Sequence, residues 1–299
     1  LDTVPPADDN PPRMDDERIY GLGSSDMKCA DALILHLMER ARREQSRFDV
    51  AAILYAREEG PFDESGFPHI VEDAPDLFED VGLAIAMEPT DNHFELGCLG
   101  TLHALVRFHG QRAHSARPWE GKNAIPLAAP FLSRLAEIAP RDCRYDGLLF
   151  REVCSATMVA YDGARNVIPG RFDLNVNFRF GPDRSRSEAL AWIAEQVRAA
   201  VGGDAIDQHE VTIEITDICP SGRVCHDNPL FRSLAETAGS GPETRAKQAW
   251  TDVGRLSEMG IDAINFGPGS GSQAHQAGEW CLRSHLADAR VLMERWIFG

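Results

Sequence analysis

The run Gly82–Met87, GLAIAM, ends directly on Glu88. A short, unbroken apolar block of this kind is the pattern of a parallel strand covered on both faces, because neither face meets water and alternation disappears. Val50–Tyr55, VAAILY, repeats it and leads within three residues to Glu58 and Glu59. Upstream, a helical period follows Asp26, with Ala30, Leu33, Ile34, Leu37, Met38 and Ala41 spaced by three and four, and Arg40, Arg42, Arg43 and Glu44 on its polar face. Strands alternating with helices predict an α/β domain. In such sheets ligands bind beyond the carboxyl ends of the strands. The acids at 58, 59 and 88 therefore fall where a site belongs.

The middle of the chain changes period. Thr101–Phe108 alternates, a helix is expected from about Asn123 to Ile138, and strands follow near Cys154–Tyr161 and Phe172–Phe180. A helix over about Ser187–Ala200 and a strand over Glu210–Thr216 complete a β-α-β-β-α-β series, the ferredoxin-like order. After Pro220 the α/β pattern resumes, with a helix from Pro229, a strand over Ala263–Phe266 and a last helix from Ser284. The expected organisation is a discontinuous catalytic domain, 1–97 and 217–299, carrying an inserted lobe at 98–216, with hinges near 97–99 and 216–222.

Composition narrows the partners. The chain has 47 acidic against 30 basic residues, a formal charge of -17, which repels nucleic acid and anionic membrane surfaces. No apolar run reaches the ~20 residues of a membrane span. The seven cysteines form no CxxC pair, so reduced thiols in a cytoplasmic protein are expected rather than a disulfide framework.

Asp26, the pair Glu58–Glu59 and Glu88 each follow an expected strand or open a loop, and Asp2 stands near the start. Taken singly, each reads most simply as a solvated loop acid. Converging in one cleft, they would repel too strongly without a cation, and a pair of divalent ions ~3.5–4 Å apart resolves the repulsion. His275, in the Gly- and Ser-rich GPGSGSQAH at 267–275, would complete a site of zinc type.

In order, LDTVPP at 1–6, GLGSSDMK at 21–28, REEGP at 57–61, MEPT at 87–90 and GPGSGSQAH at 267–275 resemble the co-catalytic zinc amidohydrolases, which include aminoacylases, acetylornithine deacetylases and desuccinylases. The resemblance spans essentially the whole chain. It implies two divalent ions, zinc with cobalt as the alternative. Asp26 would bridge them, Glu59 and His275 would ligate one, and Glu88 the other. Glu58 would be the general base toward water, and Asp2 would orient a ligating histidine. The family's first motif is His-X-Asp, whose histidine would fall one position before Leu1. The expectation is therefore a sequence that starts just after its first metal ligand, with an inactive non-catalytic homologue as the contrary reading.

RAHSARPWEGKNAI at 112–125 resembles the lobe segment whose histidine reaches across a homodimer, which would make His114 an oxyanion stabiliser in the partner's site. By the same resemblance Asn166 in NVIPG and Arg179 in NFRF would bind the substrate carboxylate, with Thr251, Arg255 and Gly271 as further substrate-binding positions. The activity implied is hydrolysis of an N-acyl amino acid. The pattern is closest to the desuccinylases acting on N-succinyl-LL-2,6-diaminopimelate in lysine biosynthesis, with acetylornithine deacetylase as the alternative.

Overall fold

The computed structural model describes residues 4–6 and 9–299. Asp2 lies outside the described residues. The chain forms two compact units, one built from residues up to Cys98, Gly222–Lys247 and Thr251–Gly299, the other from Leu99–Ser221 with Gln248–Trp250.

The N-terminal part of the first unit holds β1 (Arg13–Met14), β2 (Arg18–Tyr20), α1 (Cys29–Ala41), α2 (Phe67–Asp73), β3 (Ala84–Ala86) and β4 (Phe94–Leu96). Helix α1 buries Cys29, Ala30, Leu33 and Leu37, one stripe at helical spacing. It contains neither glycine nor proline; its one arginine, Arg40, is half-buried, pairing with Glu294 and lying over the Phe298 ring, while Arg42 and Arg43 just beyond it are exposed. Strand β3 lies inside GLAIAM, as expected. Val50–Tyr55 does not form a strand. Among the described residues no strand is laid beside it, and an apolar run does not by itself supply the neighbouring strand that a sheet needs.

The second unit contains β5 (Gly100–His109), β6 (Ala113–His114), α3 (Ala124–Leu127), α4 (Ala129–Glu137), β7 (Arg141–Tyr145), β8 (Leu148–Tyr161), β9 (Val167–Ile168), β10 (Arg171–Phe180), α5 (Arg186–Val201), α6 (Gly203–Asp207) and β11 (Val211–Cys219). Its main sheet has the order β11-β5-β10-β8-β7, antiparallel throughout. Without β7 this is the ferredoxin-like arrangement. Leu102, Ala104, Val106 and Phe108 of β5 and Leu174, Val176, Phe178 and Phe180 of β10 point to one face, where Phe131, Ile193 and Val197 of the helices cover them. Period-2 alternation puts the whole apolar set on one side. Trp192 stacks on Phe178 at 4.3 Å. Helix α5 starts on a capping box in which Ser185 and Glu188 satisfy each other's backbone donors.

Strand β7 is an addition to the expected set. It pairs with β8 from Arg141↔Glu152 to Tyr145↔Leu148, and Asp146 and Gly147 close the turn at φ 47° and 84°. An Asp-Gly pair supplies the two positive φ values that a tight hairpin requires. Strand β8 is correspondingly longer than alternation from Cys154 suggests. Beyond Glu152 its outer edge has no partner strand among the described residues, and Met158, Val159 and Tyr161 there are exposed.

The chain then returns to the first unit with α7 (Pro229–Ala238), β12 (Thr244–Ala246), α8 (Val253–Glu258), β13 (Ala263–Asn265), β14 (Trp280–Leu282) and α9 (Arg283–Phe298). A mixed sheet has the order β12-β4-β13-β3, with β12 parallel to β4 and β13 parallel to β3. A second sheet, β1-β2-β14, joins the two ends of this unit. Phe94 packs edge-on against Phe231 at 5.5 Å and beside Phe266 at 5.2 Å, tying the sheet to α7.

Candidate metal centre

Asp26, Glu59 and His275 come together in the first unit, each offering a ligand atom within 4.8 Å of the others. His275 Nε2 lies 3.2 Å from Glu59 Oε1 and 3.6 Å from Asp26 Oδ2. Asp26 is supplied by the turn ahead of α1, Glu59 by the loop ahead of α2, and His275 by the loop between β13 and β14. All three positions were expected from sequence. The backbone is unusual around each acidic segment: Arg57, just before Glu58, has φ 65°, Asp91 and Asn92, just after Glu88, have 53° and 59°, and His275 has 60°. Left-handed backbone at non-glycine residues costs energy and concentrates at functional sites.

The electrostatics carry the same message. Burial, reinforced by neighbouring Glu59 and offset by His275, pushes the Asp26 carboxyl up to about 6. Burial pushes Glu88 up to about 7, against the pull of Lys247 and with Asp26, Glu59 and Glu95 adding to the rise. Burial and neighbouring like charges disfavour the ionised form of both carboxyls. One imidazole nitrogen and two carboxylates at this spacing form a donor set that suits zinc. The residues present therefore fit a divalent ion, and Glu88 stands electrostatically beside them. Glu58 is half-buried next to Glu59.

Lys247 is a member of this neighbourhood that sequence reading passed over. It is buried, pairs with Glu95 at 3.0 Å, and its ammonium is held protonated above its ordinary range despite burial, by Glu88 and Glu95 above all. Glu279 is another. Its carboxylate accepts the backbone N–H groups of Gly23, Ser25 and Asp26. A lone lysine or glutamate in a polar stretch gives no sequence signal of burial, since these residues are almost always exposed.

The Gly-rich stretch has a packing reason at two positions. A side chain at Gly267 would meet the carbonyl oxygens of Met87 and Glu88 at 2.7 Å, and one at Gly269, where φ is 94°, would meet Ser25. Gly271 is exposed and faces no such approach. Thr251 is buried and its hydroxyl donates to Asn265 Oδ1 at 2.7 Å. Arg255 is buried too, pairing with Asp252 at 3.0 Å, donating to the Phe62 carbonyl at 2.9 Å and lying over the Phe62 ring. Both side chains are thus engaged in holding the first unit together, Arg255 bracing the segment that follows Glu59.

In the second unit, His114 and Asn166 sit on one two-stranded ribbon. His114 pairs with Val167 across β6 and β9, Ser115 N–H donates to the Asn166 carbonyl, and His114 Nδ1 accepts the Ala116 N–H at 3.0 Å. Arg179 lies near the far end of β10, its Nε donating to Asn177 Oδ1 at 3.1 Å. Burial draws its guanidinium below its usual range.

A protein of Mycobacterium tuberculosis, provisionally named a succinyl-diaminopimelate desuccinylase, is 38% identical over 299 residues, covering 100% of this chain and 80% of that protein. A succinyl-diaminopimelate desuccinylase of Corynebacterium glutamicum is 35% identical over 298 residues, covering 99% and 79%. An acetylornithine deacetylase of Myxococcus xanthus is 30% identical over 291 residues, covering 94% and 72%. Among solved structures, a tripeptidase from Staphylococcus aureus shares the fold with a TM-score of 0.74 at 16% identity, covering 99% of this chain and 78% of that one. The profile of peptidase family M20/M25/M40 matches residues 1–298, and the chain belongs to this family of metallohydrolases.

Proposed function

We propose that this protein hydrolyses the amide of N-succinyl-LL-2,6-diaminopimelate to succinate and LL-2,6-diaminopimelate. The observation that carries the reading is the Asp26–Glu59–His275 cluster, and the full-length likeness to desuccinylases supplies the substrate. Asp26, Glu59, His275 and Glu88 would hold two divalent ions, zinc in the first instance and cobalt as a substitute. When bound, such ions lower the pKa of water toward neutrality and polarise a carbonyl oxygen.

The remaining work belongs to the chain. Glu58 accepts a proton from the attacking water as its oxygen adds to the succinyl carbonyl carbon. As the C–N bond breaks, the same carboxyl returns the proton to the leaving nitrogen, so the base of the first half is the acid of the second. Asp2, by the same reading, orients a metal-ligating histidine. Asn166 and Arg179 bind substrate carboxylate, Arg179 through the two-pronged geometry of its guanidinium. The Gly271 backbone adds a donor, and Thr251 and Arg255 act by shaping the floor of the site. His114 donates to the developing oxyanion.

These assignments require two copies. The ribbon with His114 and Asn166 lies beyond the Arg171 end of β10, whereas Arg179 is eight residues further along, about 26 Å at ~3.3 Å per residue. One small substrate cannot span that distance, but a homodimer can bring the ribbon of one protomer to the site of its partner. The open outer edge of β8, with exposed Met158, Val159 and Tyr161, suits a second copy pairing there. A cytoplasmic location fits seven buried cysteines that form no disulfide.

The test is a steady-state assay of the metal-loaded protein on N-succinyl-LL-2,6-diaminopimelate and on N-acetylornithine. The succinyl substrate should give the larger kcat/KM, and chelation should remove the activity. A preference for N-acetylornithine by orders of magnitude overturns the assignment.

A further inference from the structure

We propose that Glu279 is a positioning residue of the metal centre, a buried anion that holds the Asp26 turn in its metal-binding geometry. The proposal rests on the reading of Asp26, Glu59 and His275 as metal ligands.

Glu279 is 3% exposed. Among the described residues no lysine or arginine pairs with it. Its charge is met by backbone instead: Oε2 accepts the Gly23 N–H at 2.6 Å, and Oε1 accepts those of Ser25 at 2.7 Å and Asp26 at 2.9 Å. Its own carbonyl accepts the Gly21 N–H at 3.2 Å and the Asn10 side-chain amide at 2.9 Å. Gly23 has φ 76°, and the turn presents the N–H groups of Gly23, Ser25 and Asp26 to one anion, a concave nest, while Ser24 N–H donates to the Gly21 carbonyl. Burying a carboxylate costs several kcal/mol unless it is well paired, and a structural tie alone could be made by a neutral side chain.

The placement supplies the reason. Glu279 is four residues past His275 on the same loop, and the residue whose N–H closes the nest is Asp26. A second tie joins the same loops: Ser270 N–H donates to Ser25 Oγ at 2.7 Å, and Ser25 Oγ donates to the Ser270 carbonyl at 3.1 Å. The loop carrying one metal ligand thus grips the turn carrying another on both sides of Ser25. Asp26 is extended, at φ -121° and ψ 89°, an orientation the adjoining helix does not impose and the nest does. Held this way, Asp26 and His275 need little reorganisation to receive a cation, and the negative charge behind Asp26 favours a dication in front of it.

The experiment is a Co(II) titration of the apoprotein, followed by calorimetry and by the visible absorption of the bound ion, on the parent, Glu279→Gln and Glu279→Asp. Glu279→Gln keeps volume but removes charge and an acceptor. It should weaken the tighter Co(II) site by about 10- to 100-fold, the range for outer partners of metal ligands, and alter the absorption band. Glu279→Asp, which keeps the charge on a shorter arm, should fall between. Parent-like affinity and spectrum in Glu279→Gln, with only a lower apoprotein Tm, overturns the proposal and leaves a structural role. If Glu279→Gln does not fold, parent-like affinity and spectrum in Glu279→Asp overturn it equally. A parent that binds no Co(II) removes the metal reading itself, and this proposal with it.

Discussion

Under the proposed reading, the neighbours Glu58 and Glu59 have separate tasks, one moving a proton and the other holding an ion. Glu58→Ala should therefore reduce kcat by at least ~100-fold, the usual scale of general-base loss, while metal content by plasma emission stays at the parent value. Loss of metal along with activity would show that the two roles are not separate. His275→Ala should behave oppositely and lose metal. The raised carboxyls give a pH dependence with a definite sign. Asp26 at about 6 and Glu88 at about 7 stand above their unfolded values of 3.8 and 4.5. Between about pH 4 and 7 the folded apoprotein holds more protons than the unfolded chain, so its stability falls as pH rises through that window. A bound cation displaces those protons, and metal affinity rises over the same window by roughly tenfold per unit for each proton released. Thermal unfolding at pH 5 and 7.5 should show a Tm that falls as pH rises in the chelated protein and changes much less in the metal-loaded protein, where the two effects offset. The convergence of Asp26, Glu59 and His275 was legible in sequence because each sits in a short ordered motif. Lys247 and Glu279 were not, because they meet their partners through contacts that close only in three dimensions: Glu279 and Gly23 are 256 residues apart.

At the scale of elements, period was a good guide wherever a face was buried against something local. The β5 and β10 alternation and the α1 stripe turned up where expected. Val50–Tyr55 failed because an apolar run specifies burial, not the partner strand that makes it a sheet. Strand β7 was missed although the Asp146–Gly147 turn announces it; its polar RDCRY offers no hydrophobic pattern, and its order comes from ionic ties such as Arg141 to Glu152 and to Asp183. The brace behind Glu59 is open to measurement. Arg255 and Asp252 expose 9% and 8% of their side chains, and truncating one partner of a buried pair costs about 3–5 kcal/mol. Arg255→Ala should lower unfolding free energy by that order in urea titration. A loss below 1 kcal/mol would mean that the pair and the Phe62 contact contribute little.

At the scale of the molecule, the separation of His114 from Arg179 along one lobe predicts complementation. Mixed dimers of Glu58→Ala and His114→Ala chains contain one site that inherits both native groups, so a random mixture should recover about a quarter of parent activity, from half the dimers with half their sites intact. No recovery in verified mixed dimers would return His114 to its own protomer's site or to none. Charges at the exposed β8 edge, as in Met158→Asp with Val159→Asp, should yield monomers in sedimentation velocity.

The first unit is threaded from three chain segments, while the second closes almost entirely within one, Leu99–Ser221. This has a consequence for biosynthesis. Domains fold largely in order as the chain is made, at ~5–20 residues per second, so His275 follows Asp26 by roughly 12–50 s. During that interval the acidic turn has neither its histidine nor the Glu279 anchor. The lobe can be finished before the site exists, and the nascent chain passes most of its synthesis unable to capture an ion tightly. Metal loading thus becomes a late step, open only to a chain made through its final strand.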